Sequence, residues 1–219
     1  MPSWISSRAI GITAALSGLL AVAAAHADPR PFSLYGLAGW EAQTFLFHAH
    51  TAYQPVQDGS IQVIEAQCDN SASGQIWRDR IDLKATPFLA WRWKIESLYA
   101  GVNERTKAGD DFPARVYAVR GGGLAWWRSK ALVYVWSNGE QGLEDWPEPY
   151  TDSAHVVVVR AGGNGVGEWQ QERRDMRADF KQFFGLDLQS LDGVALMTDC
   201  DDHHGKSRAL YGDLRLLGP

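Results

Sequence analysis

Only two cysteines, Cys68 and Cys200, occur in the 219 residues. A cysteine-rich zinc centre and a small disulfide-dense scaffold both need more thiols, so both are excluded. Basic runs are also missing: 21 Lys+Arg stand against 26 Asp+Glu, a net charge of −5. Nucleic-acid binding needs clustered positive charge opposite phosphates, and that class drops out as well. After Ala27 no apolar run reaches spanning length, so no membrane span is expected in the mature chain. Catalytic signatures are lacking too. There is no G-x-S-x-G and no H-E-x-x-H, and "GGNGVG" (Gly162–Gly167) joins strand-like runs instead of opening a helix.

The one long apolar stretch lies at the start, Ala9–Ala25, after a short segment carrying Arg8 and before Ala25-His26-Ala27. Small residues flanking a cleavage point are what signal peptidase accepts. Residues 1–27 are therefore expected to be a cleaved signal peptide, leaving a single domain, 28–219, in the periplasm or the medium. A membrane anchor is the alternative, but the stretch is short and lacks a basic stop. In an oxidising compartment Cys68 and Cys200, each closing an apolar run, are expected to form a disulfide; two separate buried thiols are the other possibility.

Strand patterns fill the mature region, among them "IQVIEAQC", "FLAWRWKIESL", "FPARVYAVR", "ALVYVWS", "AHVVVVRA" and "RALYGDLRLL". Turn signals such as Asp58-Gly59-Ser60 and Asn138-Gly139 separate them. Roughly ten antiparallel strands at short spacing predict an all-β fold, a jelly-roll-type β-sandwich. One short helix is expected in "RADFKQFFG", where Phe180, Phe183 and Phe184 share a face and Gly185 closes it. The domain is expected to be monomeric.

Period-two alternation sorts these strands into faces. Leu89, Trp91, Trp93 and Ile95 point one way and Arg92 and Lys94 the other; Arg115 and Tyr117 oppose Ala114, Val116 and Ala118. Ala131, Val133 and Val135 oppose Leu132, Tyr134 and Trp136. If the three strands share a sheet, its non-core face carries Arg92, Lys94, Arg115, Tyr117, Tyr134 and Trp136. Flat aromatics stack on sugar C–H faces, and arginine forks bind hydroxyls or uronate carboxylates. A covered sheet face is the competing explanation. Asp110 and Asp111 in "ERTKAGDDF" are expected to order the adjacent ligand-binding loop, although Gly109-Asp110 is also ordinary turn chemistry. "GLEDWPEPY" places Glu144, Asp145 and Glu148 where they can form a rim.

"MTDCDDHHGKSRALYGDLRL" (Met197–Leu216) gathers acidic and imidazole groups. Asp199 and Asp201 alternate at a strand end and Asp213 lies on the next strand, an oxygen-rich set suited to a structural Ca²⁺. A solvated hairpin loop is the alternative. The EF-hand spacing fails at Gly205. Zinc is weak because the adjacent His203 and His204 rarely aim at one ion, and His48 and His50 have no third ligand. No other cofactor is expected.

The segments "TPFLAWRWKI", "TKAGDDFPARVYAV", "LVYVWS", "ERRDMRADF" and "ALMTDCDDHHGKSRALYGDLRL" resemble an exported bacterial family classed as domain of unknown function 3047. The resemblance spans most of the mature chain and implies that Arg92, Lys94, Lys107, Asp110, Asp111, Arg115, Asp199 and Asp213 belong to a shared core or site. It implies no activity. Family members lack a cysteine beside the "M-T-D" aspartate, so a disulfide there belongs to this protein or a subgroup. "YGDLRL" is similar to the last strand of galactose-binding-like jelly rolls. The expected function is binding of a carbohydrate or cell-envelope glycan. The alternatives are a polysaccharide lyase or glycosidase on the same scaffold, or an envelope protein-interaction module; the residues leave catalysis open.

Overall fold

The stretch Phe88–Ile95 shows how side-chain alternation builds this protein. Leu89, Trp91, Trp93 and Ile95 are buried in the main core, whereas Arg92 and Lys94 face outward and are partly exposed. The computed structural model describes residue 32 and residues 36–121, 129–139 and 144–219. The expected signal peptide, 1–27, lies outside the described residues, as do Gly122, Gly123 and Gly142.

The strands are β1 (Trp40–Thr44), β2 (Ala52–Asp58), β3 (Ile61–Asp69), β4 (Ala72–Asp82), β5 (Phe88–Ile95), β6 (Ala114–Arg120), β7 (Lys130–Ser137), β8 (Asp145–Pro147), β9 (Ala154–Ala161), β10 (Gln170–Asp175), β11 (Ser190–Asp199) and β12 (Lys206–Leu217). They form a seven-stranded sheet, β1-β4-β11-β6-β7-β9-β8, and a five-stranded sheet, β10-β5-β12-β3-β2. The two sheets pack as a jelly-roll-type β-sandwich, as expected. Among the described residues neighbouring strands are antiparallel with one exception: β7 and β9 run parallel.

Helix α1 (Met176–Phe184) follows β10 directly. Asp175 caps its start by accepting from the Ala178 N–H, and Gly185, at φ 69°, closes its end with N–H bonds back to the last turn. Met176 and Phe180 enter the main core, and Asp179 accepts from the buried Tyr134 hydroxyl at 2.9 Å.

Two expectations about faces are corrected here. First, β5 and β6 lie in different sheets. Arg92 and Lys94 therefore sit on the outer face of the five-stranded sheet, under the Trp169 ring at 4.3 and 5.2 Å and paired with Asp213 and Asp58. Arg115 and Tyr117 occupy the outer face of the seven-stranded sheet, and no common surface joins the two pairs. Second, Tyr134 and Trp136 point inward. Trp91 stacks on Tyr134 with centroids 5.5 Å apart, and Trp93 meets Trp136 at 6.0 Å. The reason is that β7 is apolar on both sides. Val133 and Val135 are buried too, in a second cluster with Phe112, Trp146, Val156 and Val158 on the outer side. Alternation alone cannot say which side of such a strand faces the other sheet.

Cys68 and Cys200 form a disulfide that ties the end of β3 in one sheet to the end of β11 in the other, packed on Tyr99. Removing both thiols (Cys68→Ser with Cys200→Ser) releases a closure spanning 132 residues. The double variant is expected to lose about 4–5 kcal/mol, read as a fall in Tm of roughly 10 °C. Trp136→Ala, which empties a fully buried position, is expected to cost about 3–5 kcal/mol in urea titrations.

Candidate functional site

On the outer face of the seven-stranded sheet a buried arginine organises a pocket. Arg115 leaves β6 away from the core and is 3% exposed. Its guanidinium forks onto Asp199 at the end of β11, with Nε donating to Oδ1 at 3.0 Å and Nη2 to Oδ2. Nη2 also donates to the Asp110 carbonyl and Nη1 to Asp110 Oδ2 at 3.4 Å. Asp199 Oδ1 accepts a further bond from the Phe112 N–H at 3.1 Å. A buried cation is tolerated only when its donors are matched in this way. Burial works against the charged form of Arg115, but Asp110 and Asp199 more than reverse it and its pKa is raised.

The loop leading into β6 is held just as closely. Glu104 accepts from the Ser137 hydroxyl and from Asn138, at its backbone N–H and at Nδ2 2.7 Å away. Gly109 lies against the Asn103 backbone, where a Cβ would come within 2.6 Å of the Asn103 carbonyl oxygen, so only glycine fits. Asp111 then turns toward the loop after β11. Its Oδ2 accepts from both the N–H and Nδ1 of His203 at 2.7 Å, while its buried Oδ1 has no partner among the described residues.

Between these segments lies a cavity of about 440 Å³. Its floor is the sheet, with Arg115 and Tyr117 from β6, Val133 from β7, and Met197 and Asp199 from β11. Its walls come from three places. Asp110 precedes β6, Glu148 and Tyr150 follow β8, and Asp201 and Asp202 follow β11. Phe45 and His48 close the remaining side, with His48 Nδ1 2.6 Å from Asp201 Oδ2.

Crowded carboxyls raise one another's hold on protons. Burial first, and the Asp110 carboxylate next, push the Glu148 carboxyl up to about 7, with Arg115 opposing. Burial and the charges of Asp111 and Asp201 likewise raise Asp202. Tyr150, half exposed at the rim, donates to the Lys107 carbonyl at 2.7 Å, and burial with nearby Asp202 pushes its hydroxyl up to about 12. The cavity thus presents several oxygen acceptors, one internally matched cation and aromatic surfaces.

Of the residues singled out in the sequence, Asp110, Arg115, Tyr117, Asp199 and Asp201 meet at this cavity, with Asp111 behind it. Arg92 and Lys94 do not, and Tyr134 and Trp136 are core. Asp213 does not join Asp199 and Asp201 either. It belongs to β12 in the other sheet and pairs with Arg92 at 2.8 Å, and the acidic cluster on this face is Asp111, Asp199 and Asp201. Glu148 does reach the cavity, but Glu144 pairs with Arg105 and Asp145 with His155. Sequence reasoning missed Tyr150 and Phe45. An exposed tyrosine beside Glu-Pro and an apolar "FLF" at a strand end were the available signals.

Residues 38–215 match the family described as "Protein of unknown function (DUF3047)", and the chain belongs to that family. No curated protein matches it. Among solved structures it is similar to TmCBM61 in complex with β-1,4-galactotriose, at 7% identity and TM-score 0.43 over 89% of this chain and 98% of that one. It is similar to the xyloglucanase domain of NopAA, a type three effector from Sinorhizobium fredii, in complex with cellobiose, at 8% identity and TM-score 0.43 over 83% and 95%. A third likeness is to arabinose-bound MgGH51 α-L-arabinofuranosidase, at 8% identity and TM-score 0.42 over 88% of this chain but 26% of that one.

The Glu148 environment sets a pH dependence. Between its ordinary value of 4.5 and about 7 the folded protein holds a proton that the unfolded chain has released. Stability contributed by that proton is full below this window and lost above it. Relative to Glu148→Gln, the native protein is expected to lose about 1–2 kcal/mol from pH 5 to pH 8, after allowance for solvent screening. Urea denaturation of both proteins at the two pH values measures it.

Proposed function

We propose that this family member is an exported glycan-binding protein whose ligand occupies the cavity on the outer face of the seven-stranded sheet. One observation carries the reading: the cavity of about 440 Å³ combines convergent carboxylates with aromatic and aliphatic surface. That volume is within the range of small-ligand sites. Sugars present hydroxyl donors around a ring whose faces are apolar. Carboxylates accept from such hydroxyls, and Tyr150, Tyr117 and Phe45 offer surface for the C–H faces.

The charge balance narrows the ligand. Asp110, Glu148, Asp199, Asp201 and Asp202 line the cavity against Arg115, whose guanidinium is already bonded to Asp110 and Asp199. An anionic sugar would enter against like charge, which favours neutral glycans over uronates. The same balance gives the lyase alternative less support, because Arg115, the cavity's guanidinium, is already bonded to Asp110 and Asp199 and is not free to neutralise a uronate. Export is supported by the expected signal peptide and by the disulfide.

A second reading, a glycosidase acting on a neutral glycan, is favoured by Glu148. A carboxyl pushed up to about 7 by burial and by Asp110 can carry the proton that a leaving glycosidic oxygen requires. Release of reducing ends that stops in Glu148→Gln would favour it; binding without release favours the first reading.

Neutral and uronate oligosaccharides on an array, followed by calorimetry, test the binding proposal. Neutral ligands are expected to bind, with Tyr150→Ala weakening them about tenfold or more, equivalent to roughly 1.4 kcal/mol. Trp169→Ala, on the opposite sheet, is expected to leave binding unchanged. Loss in the Trp169 variant with none in the Tyr150 variant would place the ligand elsewhere.

A further inference from the structure

The geometry points to a divalent cation site of the Ca²⁺ type formed by Asp111, Asp199 and Asp201, at the inner wall of the cavity. Each residue offers a carboxylate oxygen, and the three lie within 4.8 Å of one another. Oxygens bound to one Ca²⁺ at about 2.4 Å cannot be farther apart than about 4.8 Å, so the cluster has the right span.

The cluster is more than a patch of surface acid. Asp111 is fully buried and Asp199 is 4% exposed. Asp111 Oδ2 is occupied by His203, which leaves Oδ1, a buried oxygen with no hydrogen-bond partner, as the atom available to an ion. An orphaned oxygen on a fully buried aspartate is unfavourable unless something positive meets it.

The surroundings are also those of a built site. Each of the three carboxylates is held by a basic side chain: His203 on Asp111 Oδ2, Arg115 on both oxygens of Asp199 and His48 on Asp201 Oδ2. Partners of this kind orient metal-binding carboxylates. The donors are hard oxygens, and both histidines turn Nδ1 toward a carboxylate, which suits Ca²⁺ better than zinc. This ligand set replaces the one expected from the sequence, with Asp111 in place of Asp213. Bound there, the ion would join the loop before β6 to the loop after β11. The site adjoins the proposed glycan cavity but does not depend on that reading.

Calorimetry of the mature protein, stripped with chelator and titrated with CaCl₂, tests the inference. One ion per chain is expected, with a rise in Tm on binding. Asp111→Asn is expected to weaken binding at least tenfold. Because that residue is buried and could fail to fold, Asp201→Asn, which is partly exposed, provides the deciding variant and is expected to weaken binding at least tenfold as well. Asp213→Asn is expected to bind as the native protein does. No saturable binding up to about 10 mM Ca²⁺, beyond the weak end of extracellular sites, overturns the inference. So does an Asp201→Asn protein that titrates like the native one, or loss of binding in Asp213→Asn.

Discussion

Arg115 is a permanently charged side chain in the outer layer of a sandwich, almost wholly removed from water, and much of the cavity's geometry follows from how that charge is matched. Asp199 takes its fork, and Asp110 takes the remaining contacts through a carbonyl and a carboxylate. These two partners come from the end of β11 and the loop before β6, so one side chain fixes both against the start of β6. Removing one side of such a pair leaves an unmatched buried charge, which typically costs about 3–5 kcal/mol. The Phe112 N–H on Asp199 extends the network to the backbone, and the next residue back, Asp111, is thereby set against His203.

That matching has an electrostatic consequence for the cavity around it. Once Arg115 is bonded to Asp110 and Asp199, Glu148, Asp201 and Asp202 have little positive charge left to share. His48 faces Asp201 alone. The system relieves the crowding by holding a proton on Glu148 near neutrality and by raising Asp202 as well. A surface of this kind favours hydroxyl donors and cations and disfavours anions, the property on which the proposed glycan class rests.

Much of the sandwich was legible in the sequence because strands with one polar face declare their orientation. Phe88–Ile95 does so through Arg92 and Lys94, and the helix through its phenylalanines and Gly185. Lys130–Ser137 does not, since valines on one side and aromatics on the other are both apolar, and its orientation depends on which residues the second sheet supplies. Sheet membership is also a long-range property. Nothing local in "AWRWK" and "ARVYA" says that one strand pairs with β10 and β12 and the other with β11 and β7. The site was half legible for the same reason. Arg115 and Asp199 could be picked out as polar groups in strand contexts and Asp110 as part of a polar loop before a strand, but their meeting with Glu148 and Tyr150 required the path of the chain. Asp213 was misplaced because β12, although it follows β11 in the chain, belongs to the other sheet.

The parallel pairing of β7 and β9 governs how the cavity acquires its walls. Two strands running in the same direction cannot be joined by a hairpin, so the intervening chain must travel back along the sheet before β9 begins. That return carries Glu148, Pro149 and Tyr150 to the mouth of the cavity, with Trp146 laid over Val133 and Val135. Changes in length between β8 and β9 would reshape the mouth of the cavity, whereas changes within β8 would break its pairing with β9.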